Sequence, residues 1–139
     1  MKLLRIGNPG SEVPVVLTED ERYLDLRGVT GDIDGTFLGG GGLDRAREAV
    51  NDGTLPAIDV TGQRVGAPLA RPGVVLCIGM NYAAHAAESG SELPEHPVMF
   101  YKAPNTVVGP YDDLLLPRGS TTTDLDDRSP GKGSDTVAP

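Results

Sequence analysis

The sequence predicts a β-rich α+β protein, on three observations. Its apolar stretches are short and rich in Val, Ile and Leu, as at Val13 to Leu17, Val74 to Ile78 and Val98 to Tyr101. Gly and Pro number 19 and 12 in 139 residues, which is above average usage and implies many turns and short elements. Helical patterning is confined to two brief segments, one after the glycine run at 39–42 and one after Asn81.

Taken in order, Lys2 to Ile6 reads as a first strand, Val13 to Leu17 as a second and Arg22 to Leu26 as a third. Thr18-Glu19-Asp20-Glu21 suits the hairpin turn between the last two. Tyr23 and Asp25 alternate with Leu24 and Leu26, the period of a half-buried strand. Gly39-Gly40-Gly41-Gly42 reads as a flexible linker into a helix. A phosphate cradle is the other use of such a run, but no Walker-type Gly-Lys-Ser/Thr follows, and Asp32 and Asp34 carry the wrong charge. The helix runs from Leu43 to Val50, with Leu43, Ala46, Ala49 and Val50 on one face and Asn51-Asp52-Gly53 as its stop.

Thr54 to Pro72 is loop-rich, and a boundary falls near Arg71. Residues 1–71 are expected to form a small N-terminal β module with one helix. Val74 to Ile78 is continuously apolar and is expected to be a strand buried on both faces, with Cys77 a small core residue. Gly79 frees the turn, Asn81 caps a helix from Tyr82 to Ser89, and Gly90 ends it. Val98 to Lys102 is a further strand, broken at Pro104 and Asn105; Val107-Val108 pair briefly, and Leu114 to Leu116 form a last apolar run. From Leu125 to Pro139 the chain is polar and turn-rich, and is expected to be disordered.

Composition narrows the partners. The net charge is −8, with Lys and Arg totalling 12 and scattered, so there is no basic face for phosphate. Aromatics are 4% and Trp is absent, which leaves little for base stacking. Nucleic acid and anionic membrane are therefore excluded as expected partners. Met1 to Ile6 has no long apolar stretch after its charges, and no segment approaches a membrane span, so a cytoplasmic protein is expected. The single cysteine allows no internal disulfide.

The chemistry is concentrated in Cys77-Ile78-Gly79-Met80-Asn81-Tyr82-Ala83-Ala84-His85-Ala86-Ala87-Glu88. His85 and Glu88 are three apart and so share a helical face. An imidazole titrates near neutral pH, and a carboxylate at this spacing can orient it as a general base. A surface ion pair is the alternative use of the same spacing. Lys102 ends an apolar strand and could meet a substrate carboxylate; a strand-end lysine reaching to water is the alternative. Asp112 and Asp113 are adjacent, so on a strand they would point to opposite faces. Asp124, Asp126 and Asp127 could chelate a cation through oxygen, but solvated charge is the simpler reading. His96 is expected to be an exposed loop residue.

The run Val75 to Glu88 resembles the start of the fumarylacetoacetate hydrolase family catalytic domain. The resemblance continues through Pro94, Pro97 to Lys102, Val108-Gly109-Pro110 and Leu116 to Ser120, covering about residues 72–124. Residues 1–71 are more weakly similar to the small domain that precedes it in many bacterial members, which include 2-hydroxyhepta-2,4-diene-1,7-dioate isomerase and ureidoglycolate lyase types. The resemblance implies a mixed β fold, a divalent metal (magnesium or manganese), and homodimers in complete relatives. It also implies hydrolysis, isomerisation or decarboxylation of 2-oxo acids or acylpyruvate-like compounds. It maps the acid/base pair onto His85 and Glu88 and a substrate contact onto Lys102. The family's Glu-x-Glu metal-ligand strand does not follow Ser120; Asp124-Leu125-Asp126-Asp127 stands there instead. The expectation is a partial catalytic domain without its metal ligands, an off-family tail at 125–139, poor stability in the second half and no turnover by the chain alone. A non-catalytic carboxylate-binding or subunit-interaction module, or a functionless fragment, is the alternative.

Overall fold

The computed structural model describes residues 1–80, 82–88, 90, 92, 94–115 and 118–119, with the backbone alone at 85, 86 and 88. The expected helix cap Asn81, the end of the 114–116 apolar run, the acidic residues Asp124, Asp126 and Asp127 and the tail at 125–139 lie outside the described residues.

The architecture is α+β, built on antiparallel sheets. Strands β1 (Lys2–Ile6), β2 (Val13–Leu17) and β3 (Tyr23–Asp25) form one sheet in the order β1-β2-β3. Leu4 stands opposite Val15, and Val16 opposite both Leu3 and Leu24. The first two strands have the expected bounds. The third is shorter than expected: Leu26, opposite Pro14, still donates its N–H to the Pro14 carbonyl at 3.0 Å, but proline has no N–H to return, and Leu26 is fully buried in the core. Thr18 closes the β2–β3 turn: its side-chain oxygen accepts from the Arg22 N–H at 3.0 Å. Glu21 takes the positive φ of 61° that so tight a turn needs.

Two helices cover this sheet, where one was expected. Asp34 caps α1 (Gly35–Gly39) by accepting the Phe37 N–H at 2.9 Å. After two residues the chain enters α2 (Gly42–Asn51). The glycine run is therefore a tight helix–helix corner rather than a flexible linker. Gly41 has φ 72°, and a Cβ on Gly42 would lie 2.2 Å from the Phe37 ring. Sequence periodicity hid α1 because a single turn offers no repeat to detect. Phe37 and Ala46 are buried with Val16, Leu26 and Ile33, and Leu43, Val50, Leu55 and Leu69 pack around them. That cluster is the core.

The loop-rich stretch after α2 wraps both edges of the sheet. On one side Asp25 donates its N–H to the Pro56 carbonyl at 2.8 Å and Ile58 to that of Tyr23 at 3.0 Å. On the other, Gly7 donates to the Arg64 carbonyl at 2.9 Å and Gly66 to that of Arg5 at 2.7 Å. Unpaired strand edges invite association, and here the chain covers its own.

Strands β4 (Val75–Gly79) and β5 (Val98–Lys102) form a second, two-stranded antiparallel sheet. The expectation of a strand buried on both faces is wrong for β4. Leu76 is 70% exposed, and Cys77 is only half-buried rather than in the core. An apolar run reports what a strand tends to bury; among the described residues β4 has one partner strand and no layer over it. Between the two strands runs a connection containing α3 (Ala83–Glu88), which begins one residue later than expected; the expected last residue, Ser89, lies outside the described residues. A 3-10 turn at Pro104–Thr106 follows β5, where a break at proline was expected. Val108 is exposed, outside any strand. No helix among the described residues is long and apolar enough to cross a membrane.

Candidate functional site

The site begins where β4 ends. Gly79 closes the strand opposite Val98, and Met80 turns the chain with φ 54°. The backbone then enters α3, on which positions 85 and 88 lie one turn apart. Gly90, with φ 67°, follows the helix, and the chain returns through residue 97 to β5. His85 and Glu88 are thus brought onto one short helix spanning one end of a hairpin. Lys102 lies at the other end, opposite Val75. Its Cα is roughly 13 Å along the strand from the end where α3 departs. The hairpin carries Lys102 on its second strand and positions 85 and 88 on the connection between its strands. His96 is exposed, as expected.

A second constellation escaped the sequence reading because its members are far apart in the chain. Arg5 and Arg64 share Glu12: Arg5 Nη2 is 3.2 Å from Oε2, and Arg64 Nη1 is 2.9 Å from Oε1. Arg5 also grips Asp32 with two bonds, at 2.7 and 3.0 Å. Arg64 grips Asp112 in the same way, at 2.6 and 2.5 Å. Asp112 in turn accepts the Gly109 N–H at 2.7 Å, closing a turn after β5. Such paired N–H donors facing one carboxylate are the strong form of the ion pair.

The charges respond accordingly. The hydrogen bond from Arg64 holds the Asp112 carboxyl below its usual range, helped by the Gly109 N–H. Burial pushes Glu12 up, but the bonds from Arg64 and from nearby backbone N–H groups, with the Arg5 charge, outweigh it and leave the group low. Asp32 behaves alike: burial raises it, and the Arg5 bond, the Ile33 N–H and the Arg5 and Arg71 charges together outweigh that and leave it low. Arg64 is raised by Asp112 and then by Glu12, so it stays charged at any working pH. No signal in the sequence marks these partners, since Arg64 and Asp112 are 48 positions apart.

The donor set does not fit a divalent metal. Among the described residues no group of three or more His, Cys, Asp or Glu could hold one. Asp32, Glu12 and Asp112 are each engaged by arginine.

An α+β chain of antiparallel sheets, with a helix in the connection of an open hairpin, is the class that this geometry defines. The family profile described as fumarylacetoacetate (FAA) hydrolase C-terminal matches residues 74–126, which span β4, α3 and β5. A relative from Burkholderia multivorans called "putative hydrolase" is 45% identical over 125 residues, covering 89% of this chain and 43% of its own. One from Burkholderia lata, of the same description, is 43% identical over the same length. A solved structure of a "putative HpcE protein from Mycobacterium smegmatis" superposes with a TM-score of 0.67 at 29% identity, over 86% of this chain and 42% of that one. Residues 74–126 thus match part of the C-terminal domain of the fumarylacetoacetate hydrolase family. The chain spans less than half the length of the curated relatives it matches.

Proposed function

We propose that this chain carries the proton-transfer part of a family enzyme acting on 2-oxo acids or acylpyruvate-like substrates, and that it does not turn them over alone. In this proposal residues 1–71 are a small accessory domain and residues 72–124 the beginning of the catalytic domain. His85 takes a proton from an activated water, or from the carbon beside the substrate carbonyl, and becomes imidazolium. Glu88 orients the ring and balances its charge, and His85 then returns the proton to the leaving carbon. Lys102 contacts the substrate carboxylate.

The observation that supports this reading is the placement of His85 and Glu88 on one turn of α3, between two paired strands, inside the family-matched residues.

The test is a chimera in which residues 74–126 replace the matching stretch of the Burkholderia multivorans relative. Oxaloacetate and a series of acylpyruvates serve as substrates, chosen after the parent relative shows turnover with one of them. The chimera is expected to be active, and His85→Ala to lower kcat by about 10²–10⁴-fold, the usual share of a general base. Glu88→Gln should lower kcat with KM little changed, and Lys102→Ala should act chiefly on KM. Full activity in the His85→Ala chimera would rule out the assignment, as would turnover by the unmodified chain on its own for the claim of inactivity.

A further inference from the structure

Lys102 stands at the end of the β4–β5 ladder that is fixed to residues 1–71 from both strands. It pairs with Val75. On the Val75 side only Pro72, Gly73 and Val74 separate the strand from Arg71. There Arg71 Nη2 donates to Asp34 Oδ2 at 3.1 Å, and the Ala70 N–H donates to the Ile33 carbonyl at 2.7 Å. On the Lys102 side Thr106 folds the chain back: its N–H and its hydroxyl both donate to the Ala103 carbonyl, at 3.0 and 2.7 Å. The next turn, Gly109 to Asp112, is the one that Arg64 holds.

Arg64 is itself rigidly placed. Its carbonyl accepts the Gly7 N–H at 2.9 Å, and its Nη1 donates to the Gly7 carbonyl at 3.1 Å. With Nη1 also on Glu12, and Nε and Nη2 on Asp112, every nitrogen of the guanidinium is engaged. A planar fork committed at all its nitrogens leaves its partner little freedom. The acid/base positions 85 and 88 depart from the other end of the ladder, where Gly79 faces Val98, roughly 13 Å along the strand from Lys102.

We propose that Arg64 and Asp112 are positioning residues for Lys102, so that the N-terminal module sets the affinity for the substrate carboxylate and leaves the proton-transfer step alone. This rests on the reading of Lys102 as the carboxylate contact. A lysine ammonium is a point charge on a flexible stem, and where it reaches depends on where its backbone is held. Arg64 fixes the Asp112 turn, that turn fixes the chain leaving β5, and β5 carries Lys102. His85 and Glu88 lie at the far end of the ladder, off that path.

Two measurements test this. In the full chain, amide exchange is followed in Arg64→Ala and in Asp112→Asn, the milder variant because it leaves Arg64 on Glu12. Exchange over residues 100–107 should quicken by about ten-fold or more, with β2 unchanged. Equal quickening in β2 would mean a general loss of stability and would overturn the proposal, as would no change over residues 100–107. The second measurement is kinetic. Residues 1–126 replace the matching stretch of the Burkholderia multivorans relative, assayed with a substrate which that parent turns over. Arg64→Ala should raise KM by about ten-fold with kcat within about two-fold, and Arg64→Lys should recover part of the loss. Arg64→Ala with Lys102→Ala should show no higher KM than Lys102→Ala alone, because one acts through the other. A fall in kcat at constant KM, or losses that multiply in the double variant, would overturn the proposal alone. An unchanged KM in Lys102→Ala would instead overturn the carboxylate reading beneath it, and this proposal with it.

Discussion

Arg64 clasps Asp112 with two parallel hydrogen bonds, 2.6 Å from Nε to Oδ1 and 2.5 Å from Nη2 to Oδ2. Arg64 precedes the family-matched residues and Asp112 lies within them. The pair thereby ties the turn after β5 to the stretch that lines the edge of β1. Arg64 also holds Glu12, so the clasp continues into the N-terminal sheet through Arg5.

Removing either member should loosen that tie. Arg64→Ala leaves Asp112 and Glu12 without their shared partner, and Asp112→Ala leaves Arg64 half-engaged. Each single variant is expected to lower the melting temperature. The double variant should lose less than the two singles combined, because they break one interaction. Thermal melts of the four proteins in the cycle measure this. Strictly additive losses would show that the two residues act independently.

Acid should weaken the same network. Asp112, Glu12 and Asp32 all have carboxyls held below the ordinary range, each engaged by Arg5 or Arg64. A depressed carboxyl contributes stability above its unfolded value and loses it as pH falls through its folded value. The melting temperature should therefore stay nearly level down to about pH 5 and fall below about pH 4, where free carboxyls begin to protonate. Asp112→Asn should flatten part of that fall. A melting temperature that rises on acidification would contradict the sign.

Gly109 tests how closely the two parts approach. A Cβ there would lie 2.2 Å from the Val65 carbonyl oxygen and 2.9 Å from the Asp112 carboxylate. Backbone cannot yield as a flexible side chain can, so Gly109→Ala should cost about 1–3 kcal/mol. Amide exchange at Asp112, whose N–H bonds the Gly109 carbonyl at 3.2 Å, should quicken as the turn moves away. An unchanged melt and unchanged exchange would mean that the contact is looser than described.

The helix–helix corner makes a similar demand. Phe37 is 2% exposed at the centre of the core. Phe37→Ala should destabilise by about 3–5 kcal/mol, a large part of the roughly 5–15 kcal/mol that holds a domain together. Gly42→Ala should also destabilise, since its Cβ would meet the ring. Denaturant titrations give both values. A neutral Gly42→Ala would imply that α1 and α2 can shift apart without loss.

Much of the molecule was legible in the sequence because its signals are local. The bounds of β1, β2 and β5 follow from apolar runs bracketed by turn residues. Gly90 marks the end of α3 by allowing a positive φ. The order of short motifs from Val75 to Pro110 pointed to the family, and with it to His85, Glu88 and Lys102 as candidates. Tertiary structure alone decided the rest. It set Arg64 against Asp112 and Glu12, because ion pairing depends on proximity in space and leaves no periodic trace along the chain. It made the glycine run a packed corner, because the Phe37 ring fills the space where side chains would stand. Among the described residues it left β4 exposed on one face, because hydrophobicity states what a strand would bury and only the surrounding layers determine whether it does.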